Sequence, residues 1–348
     1  MRELVVILPD FFSISSDAHS AAALSAVALP RLPHLEGLLA RATHAALPGG
    51  DWRGWLREHV AGPALSPAAT VAAAWGLPAD PAHGYWLATP VHLFAGLDSV
   101  RLHPQGLLRL SGAEQQRLVS EFARVFADSP WRLLARDRRE LLLAGPALSA
   151  GGADPAPLLG ADPSAGMPRG TDAATLRRLA SEIELWLHEH PLNLERQRDA
   201  QLPVTALWLW GNAPADPQAS ASDAAARAPH EPHGALPALA GEDTYAQALW
   251  QLGGAPLGAQ PQPAAALTPE TVLGAPRGGV LLQRVCEPPG VAANLDDLER
   301  RWWAPVRAAL RARRLSALYL VTGTHVHALS WWSLARLWRV RRPWWELL

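Results

Sequence analysis

The chain has 348 residues, 49% of them apolar and 18% charged, enough for a large α/β core under a lean charged surface. Its net charge of −1 excludes a global field drawing it to nucleic acid or acidic lipid. Cys286 is its one cysteine and it has no lysine, which excludes an internal disulfide, a cysteine-built zinc or iron–sulfur cage, a Walker-type phosphate lysine and a Schiff-base lysine.

In chain order, ELVVILP (3–9) predicts a short strand of a buried parallel sheet. The apolar run is too short for a secretory signal because Asp10 follows it almost at once, and no run of about 18 apolar residues predicts a spanning helix, so a cytoplasmic protein is expected. Leu35 to Ala42 reads as a weak helix opened by Pro33. YWLATPVHL (85–93) alternates like a strand, with Pro90 expected to break or edge it. Ser111 with Glu114 forms a capping box ahead of Leu118, Phe122, Val125 and Phe126, which recur at helical spacing. RELLLAG (139–145) reads as a strand, and a second helix runs from near Asp172 to Pro191.

LPVTALWLWGN (202–212) reads as a tryptophan-rich buried strand ended by Gly211 and Asn212. An Ala/Pro-rich stretch over 213–241 predicts a flexible loop, and a Gly/Pro-rich loop spans 253–278. GGVLLQRV (278–285) and ALYLVTG (317–323) are strands, separated by a helix that Asn294 caps, that runs to Arg314 and that Pro305 strains. The alternation of strands and helices predicts an α/β fold with a mostly parallel sheet flanked by helices, as a single domain over 1–348.

Asp10 falls just past the first strand, where ligands of open α/β sheets gather, and can either hold a metal or cap a turn with Pro9. His325 and His327, at i and i+2 of an extended segment, point to one side and can share a metal or sit in a polar turn. His188 and His190, in WLHEHPLN, diverge by about 200° on a helix and suit its dipole rather than a shared ligand. His230 and His233 lie in the predicted loop, and Glu182 and Glu184 point to different sides of their helix. GxGxxG after a strand, GxxxxGK[ST] and GxSxG are all missing. The 330–348 segment interleaves Trp331, Trp332 and Trp338 with Arg336, Arg339, Arg341 and Arg342. That mixture can pack, present a partner surface, stack RNA bases or rest on a membrane interface.

Six stretches together resemble the RpfE-type regulatory protein family, a phosphoglycerate mutase-like group. They are YWLATPVHL (85–93), VRLHP (100–104), MPRG (167–170), SEIELWLHEHPLN (181–193), LPVTALWLWGN (202–212) and LWRVRRPWW near the C-terminus. The resemblance implies an alkaline-phosphatase-like core, whose enzymes use two divalent metals, a Ser or Thr nucleophile and Asp/His ligands at strand ends. It implies that Asp10 takes the place of the first metal aspartate. VTGTHVH (321–327) looks like the late Asp-His-Gly motif, with His325 for its histidine, Thr324 in the aspartate's place and Val326 in the glycine's. The stretch GGDWRGWLREH (49–59), where the nucleophile would lie, has no serine or threonine. The expectation is therefore a regulatory or binding scaffold that has lost two-metal phosphoryl transfer, with a protein partner, no cofactor and no specific nucleic acid. The alternatives are a metal-dependent phosphomutase or phosphatase rebuilt around Asp10, His325 and His327 with manganese or zinc, recruiting Asp51 or His92, and an RNA or membrane-surface binder through the tail.

Overall fold

The computed structural model describes residues 2–11, 30–47, 51–96, 99–136, 140–212, 236–254, 268–285, 290–323, 325–336 and 338–346. In chain order it opens with β1 (Glu3–Leu8), α1 (Pro33–Leu39), β2 (Thr43–Ala46), α2 (Trp52–His59) and α3 (Pro67–Ala74). Next come β3 (His83–Ala95), β4 (Val100–Leu107), α4 (Gly112–Val125), β5 (Arg132–Leu134), β6 (Leu141–Pro146), α5 (Ala173–His188) and α6 (Pro191–Arg198). They are followed by β7 (Ala206–Trp210), β8 (Ala238–Ala240), α7 (Thr244–Leu252), α8 (Pro269–Gly274) and β9 (Gly278–Leu282). The chain closes with α9 (Val291–Leu298), α10 (Ala304–Arg311), β10 (Ala317–Thr322) and β11 (His325–Ser330).

These elements gather into two compact units, one of residues 1–61, 232–243 and 253–348 and one of residues 62–231 and 244–252. The fold class is α/β, as expected, but the parallel pairing is confined to one mixed sheet, and the other sheet is antiparallel. In the first unit the order is β2-β11-β10-β1-β9-β8, with β8, β9, β1 and β10 parallel and β11 and β2 antiparallel. In the second unit β4, β3, β6, β5 and β7 pair antiparallel throughout. Short returns such as that from β10 to β11 can only make antiparallel neighbours, since a parallel pair needs a long crossover.

Central β1 is buried on both faces, which is why Leu4 to Leu8 is a continuous apolar run. One face packs Leu4, Val6, Leu8, Leu318 and Leu320 against Leu35 and Leu38 of α1 and Val306 and Leu310 of α10. The other face carries Tyr319, whose ring lies 5.8 Å from that of Trp55 on α2. The helix expected to be capped by Asn294 instead starts beyond Gly290, and Asn294 lies within it, donating from Nδ2 to the Val285 carbonyl at 2.9 Å. A π-turn at Glu299–Trp303 precedes Pro305 and absorbs the missing N–H and the ring clash a proline brings to a continuous helix. That turn also aims Glu299 at the backbone N–H groups of His34 and Leu35, closing the N-terminus of α1 at 2.6 and 3.2 Å.

In the second unit the capping box at Ser111 forms as expected, with both reciprocal bonds present. Pro90 neither breaks nor edges its strand. It lies in β3 opposite Leu207 of β7, and on the other edge it falls between the end of the β6 pairing at Ala88 and the start of the β4 pairing at Val91. The loop expected over 213–241 falls largely on residues outside those described, but its last part is β8. The loop expected over 253–278 likewise lies outside them over 255–267, and then gives way to helix α8. No helix among the described residues is long and apolar enough to cross a membrane.

Candidate functional site

Asp10 is buried, and its Oδ1 accepts the backbone N–H of Val285 at 2.9 Å, tying the end of β1 to the segment leaving β9. Among the described residues no three His, Cys, Asp or Glu side chains are grouped to hold a metal ion, so Asp10 is not brought together with His325 and His327.

The two histidines meet a third instead. Strand β11 pairs antiparallel with β2, placing His327 directly opposite His44, while His325 precedes it by two residues and so projects from the same face. The His327 ring lies 6.2 Å from that of His44 and 6.3 Å from that of His325. The three imidazoles line a cavity of about 490 Å³ with Leu39, Ala40, Arg339, Val340, Arg342 and Glu346, a volume suited to a small ligand. His44 is exposed, His325 half-buried and His327 only 2% exposed. Nε2 of His327 has no hydrogen-bond partner among the described residues. Burial, reinforced by His325 and His44, pushes the His327 imidazole down to about 4, so it is neutral at physiological pH.

The tail residues divide into several roles. Arg339 donates from Nη1 to the Ala42 carbonyl at 3.0 Å and Arg336 to the Arg41 carbonyl at 3.3 Å, both just beyond α1, where cations suit the helix dipole. Trp331 stacks on Trp332 at 3.6 Å and lies under the Arg313 guanidinium at 4.0 Å. Trp332 and Trp338 are exposed. Trp344 is core: fully buried, stacked on Phe11 at 4.8 Å and donating from Nε1 to the Pro30 carbonyl.

In the second unit, the histidine and tryptophan motifs are structural. His190 caps α6 by accepting the Leu192 N–H, and its Nε2 lies 3.0 Å from Glu121 Oε2. Asn193 braces both the Leu187 carbonyl and the backbone of Val204. Trp210 donates to Thr89 Oγ1, which donates to buried Glu140, and this buried chain joins β7 to β3. His92 is held by the Pro203 carbonyl, and Asp51 caps α2 by accepting the Arg53 N–H.

Sequence reasoning missed His44. THAA is a short edge strand without alternation, and its partner, far away near the other end of the chain, is visible only once β11 is paired with it. No family model matches the chain, and no curated protein is similar to it at a significant level. Among solved structures it is similar to the PH0037 protein from Pyrococcus horikoshii, at 10% identity and a TM-score of 0.41 over 94% of this chain and 87% of that one. It is also similar to a cofactor-independent phosphoglycerate mutase from Thermoplasma acidophilum, at 14% identity and a TM-score of 0.35 over 95% of this chain and 90% of that one.

Proposed function

We propose that the protein is a binding module whose histidine pocket takes a small oxyanion ligand of the phosphomonoester class, and that it serves regulation rather than two-metal phosphoryl transfer. The observation that carries this reading is the convergence of three imidazoles and two guanidiniums on one cavity. Imidazole rings offer N–H donors, Arg339 and Arg342 supply charge, and Glu346 can accept from a ligand hydroxyl. The Nε2 of His327, buried and without a partner among the described residues, is the group a bound ligand would satisfy. The alkaline-phosphatase-like core implied by the sequence resemblance belongs to the same proposal, with parallel β9, β1 and β10 between helices as its counterpart here.

Thermal unfolding with added phosphomonoesters at fixed ionic strength tests it. Wild type should be stabilised increasingly, with the logarithm of ligand concentration, and His44→Ala and His327→Ala should lose the effect while remaining folded. Equal shifts in all three proteins would remove the pocket from the account.

A metal reading rests on one observation, a neutral buried imidazole nitrogen without a partner among the described residues, which is what manganese or zinc requires of a ligand. The ring separations of 6.2 and 6.3 Å are wider than three imidazoles sharing one ion at zinc–nitrogen distances of about 2.1 Å. Elemental analysis separates the two readings: stoichiometric manganese or zinc lost in His327→Ala would favour the metal.

A further inference from the structure

A second cationic feature lies in the first unit, built from different side chains. Arg41 leaves the end of α1 and donates from Nη1 to the Gly37 carbonyl at 2.6 Å. Arg341 reaches the same glycine from the tail. A Cβ at Gly37 would lie 3.5 Å from Arg341 Nε and 3.8 Å from Arg41 Nη1, so the bare backbone of α1 is what lets two guanidiniums gather there. Helix α10 packs against α1 and carries Arg307 and Arg311, four residues apart on one face.

Among the described residues none of these four arginines has a carboxylate partner, although Arg41 is only 7% exposed. That is unusual in this chain, where buried Arg53 pairs with Asp243 and buried Arg196 with Glu114. Burial first, and then the neighbouring guanidiniums, pull both Arg41 and Arg307 below the ordinary arginine value, so the cluster is repulsive when empty. Arg41 is the buried member, where a charge without a counter-ion is costly, while Arg307 is half-buried and Arg311 and Arg341 are exposed, so an anion can reach the cluster from solvent.

The geometry points to a polyphosphate site at Gly37, in which Arg41, Arg307, Arg311 and Arg341 together hold a small ligand bearing a pyrophosphate-type group. A single carboxylate would offset one of four cations. A pyrophosphate carries several charges on oxygens that accept the two-pronged arginine contact. None of its four arginines lines the histidine cavity, although Arg341 stands between Val340 and Arg342, which do, so the two features adjoin while using different side chains.

The test is calorimetric titration and thermal unfolding of the full chain with sodium pyrophosphate, against sodium chloride at equal ionic strength. Wild type should bind pyrophosphate, and the double variant Arg311→Gln/Arg341→Gln should lose roughly tenfold or more in affinity. Without anion, that variant should melt at the same temperature as wild type or higher, because repulsion is relieved; a purely structural cluster would give the opposite sign. His44→Ala should bind pyrophosphate like wild type, which keeps this result separate from the pocket's. Equal responses to pyrophosphate and chloride, unchanged affinity in the double variant, a lower melting temperature of that variant without anion, or retention only on phosphatidylcholine vesicles containing phosphatidic acid would each overturn the proposal.

Discussion

His327 ties protonation to stability. Its imidazole is held near 4 in the folded chain against an ordinary value of 6.5, so the unfolded chain takes up this proton first as pH falls. The associated stability is complete above about 6.5 and declines as pH drops towards 4. Urea unfolding at pH 7.5 and pH 5 should show a loss of about 2 kcal/mol from this residue, absent in His327→Asn. A loss of the same size in the variant would assign the pH dependence elsewhere. Asp10 shows where residue-level reading stops. Its place after β1 is legible, but whether such an acid meets a metal or a backbone N–H depends on which neighbour's loop reaches it, and here that is Val285.

At the scale of elements, patterns that act within one turn are the most legible. The Ser111 box needs only residues three apart, and Ser111→Ala should cost about 1 kcal/mol of stability in thermal unfolding, with no change in any ligand response. Strand pairing is less legible, because the sequence shows that β3 and β7 are apolar strands but not that they lie antiparallel through Pro90. The tail is the clearest case of tertiary context deciding a role. Alternating Trp and Arg reads equally as a surface or as packing, and the structure divides it, with Trp332 and Trp338 exposed and Trp344 in the core. Trp344→Ala should therefore cost about 3–5 kcal/mol in denaturant unfolding. Trp338→Ala, at 77% exposure, should fall within about 0.5 kcal/mol of wild type. Equal effects at the two positions would contradict this division.

For the whole molecule, the α/β class follows from the order of apolar runs, whereas the two compact units and the mixed sheet depend on long-range pairings that no local pattern encodes. Half of the candidate site was legible, since His325, His327, Arg339 and Arg342 stand out by spacing or composition, while His44 enters only through cross-strand register. A net charge of −1 leaves no global attraction for anions, so recognition rests on local groups. The His327 imidazole, held near 4, enters such recognition as a neutral hydrogen-bonding group. The most direct measurement is calorimetric titration of a phosphomonoester into the full chain and into its His327→Ala variant, near neutral pH and at fixed ionic strength. Saturable binding by the wild type, weakened roughly tenfold or more in His327→Ala, is the expected result. The same affinity in the variant would contradict the histidine pocket as the protein's ligand site.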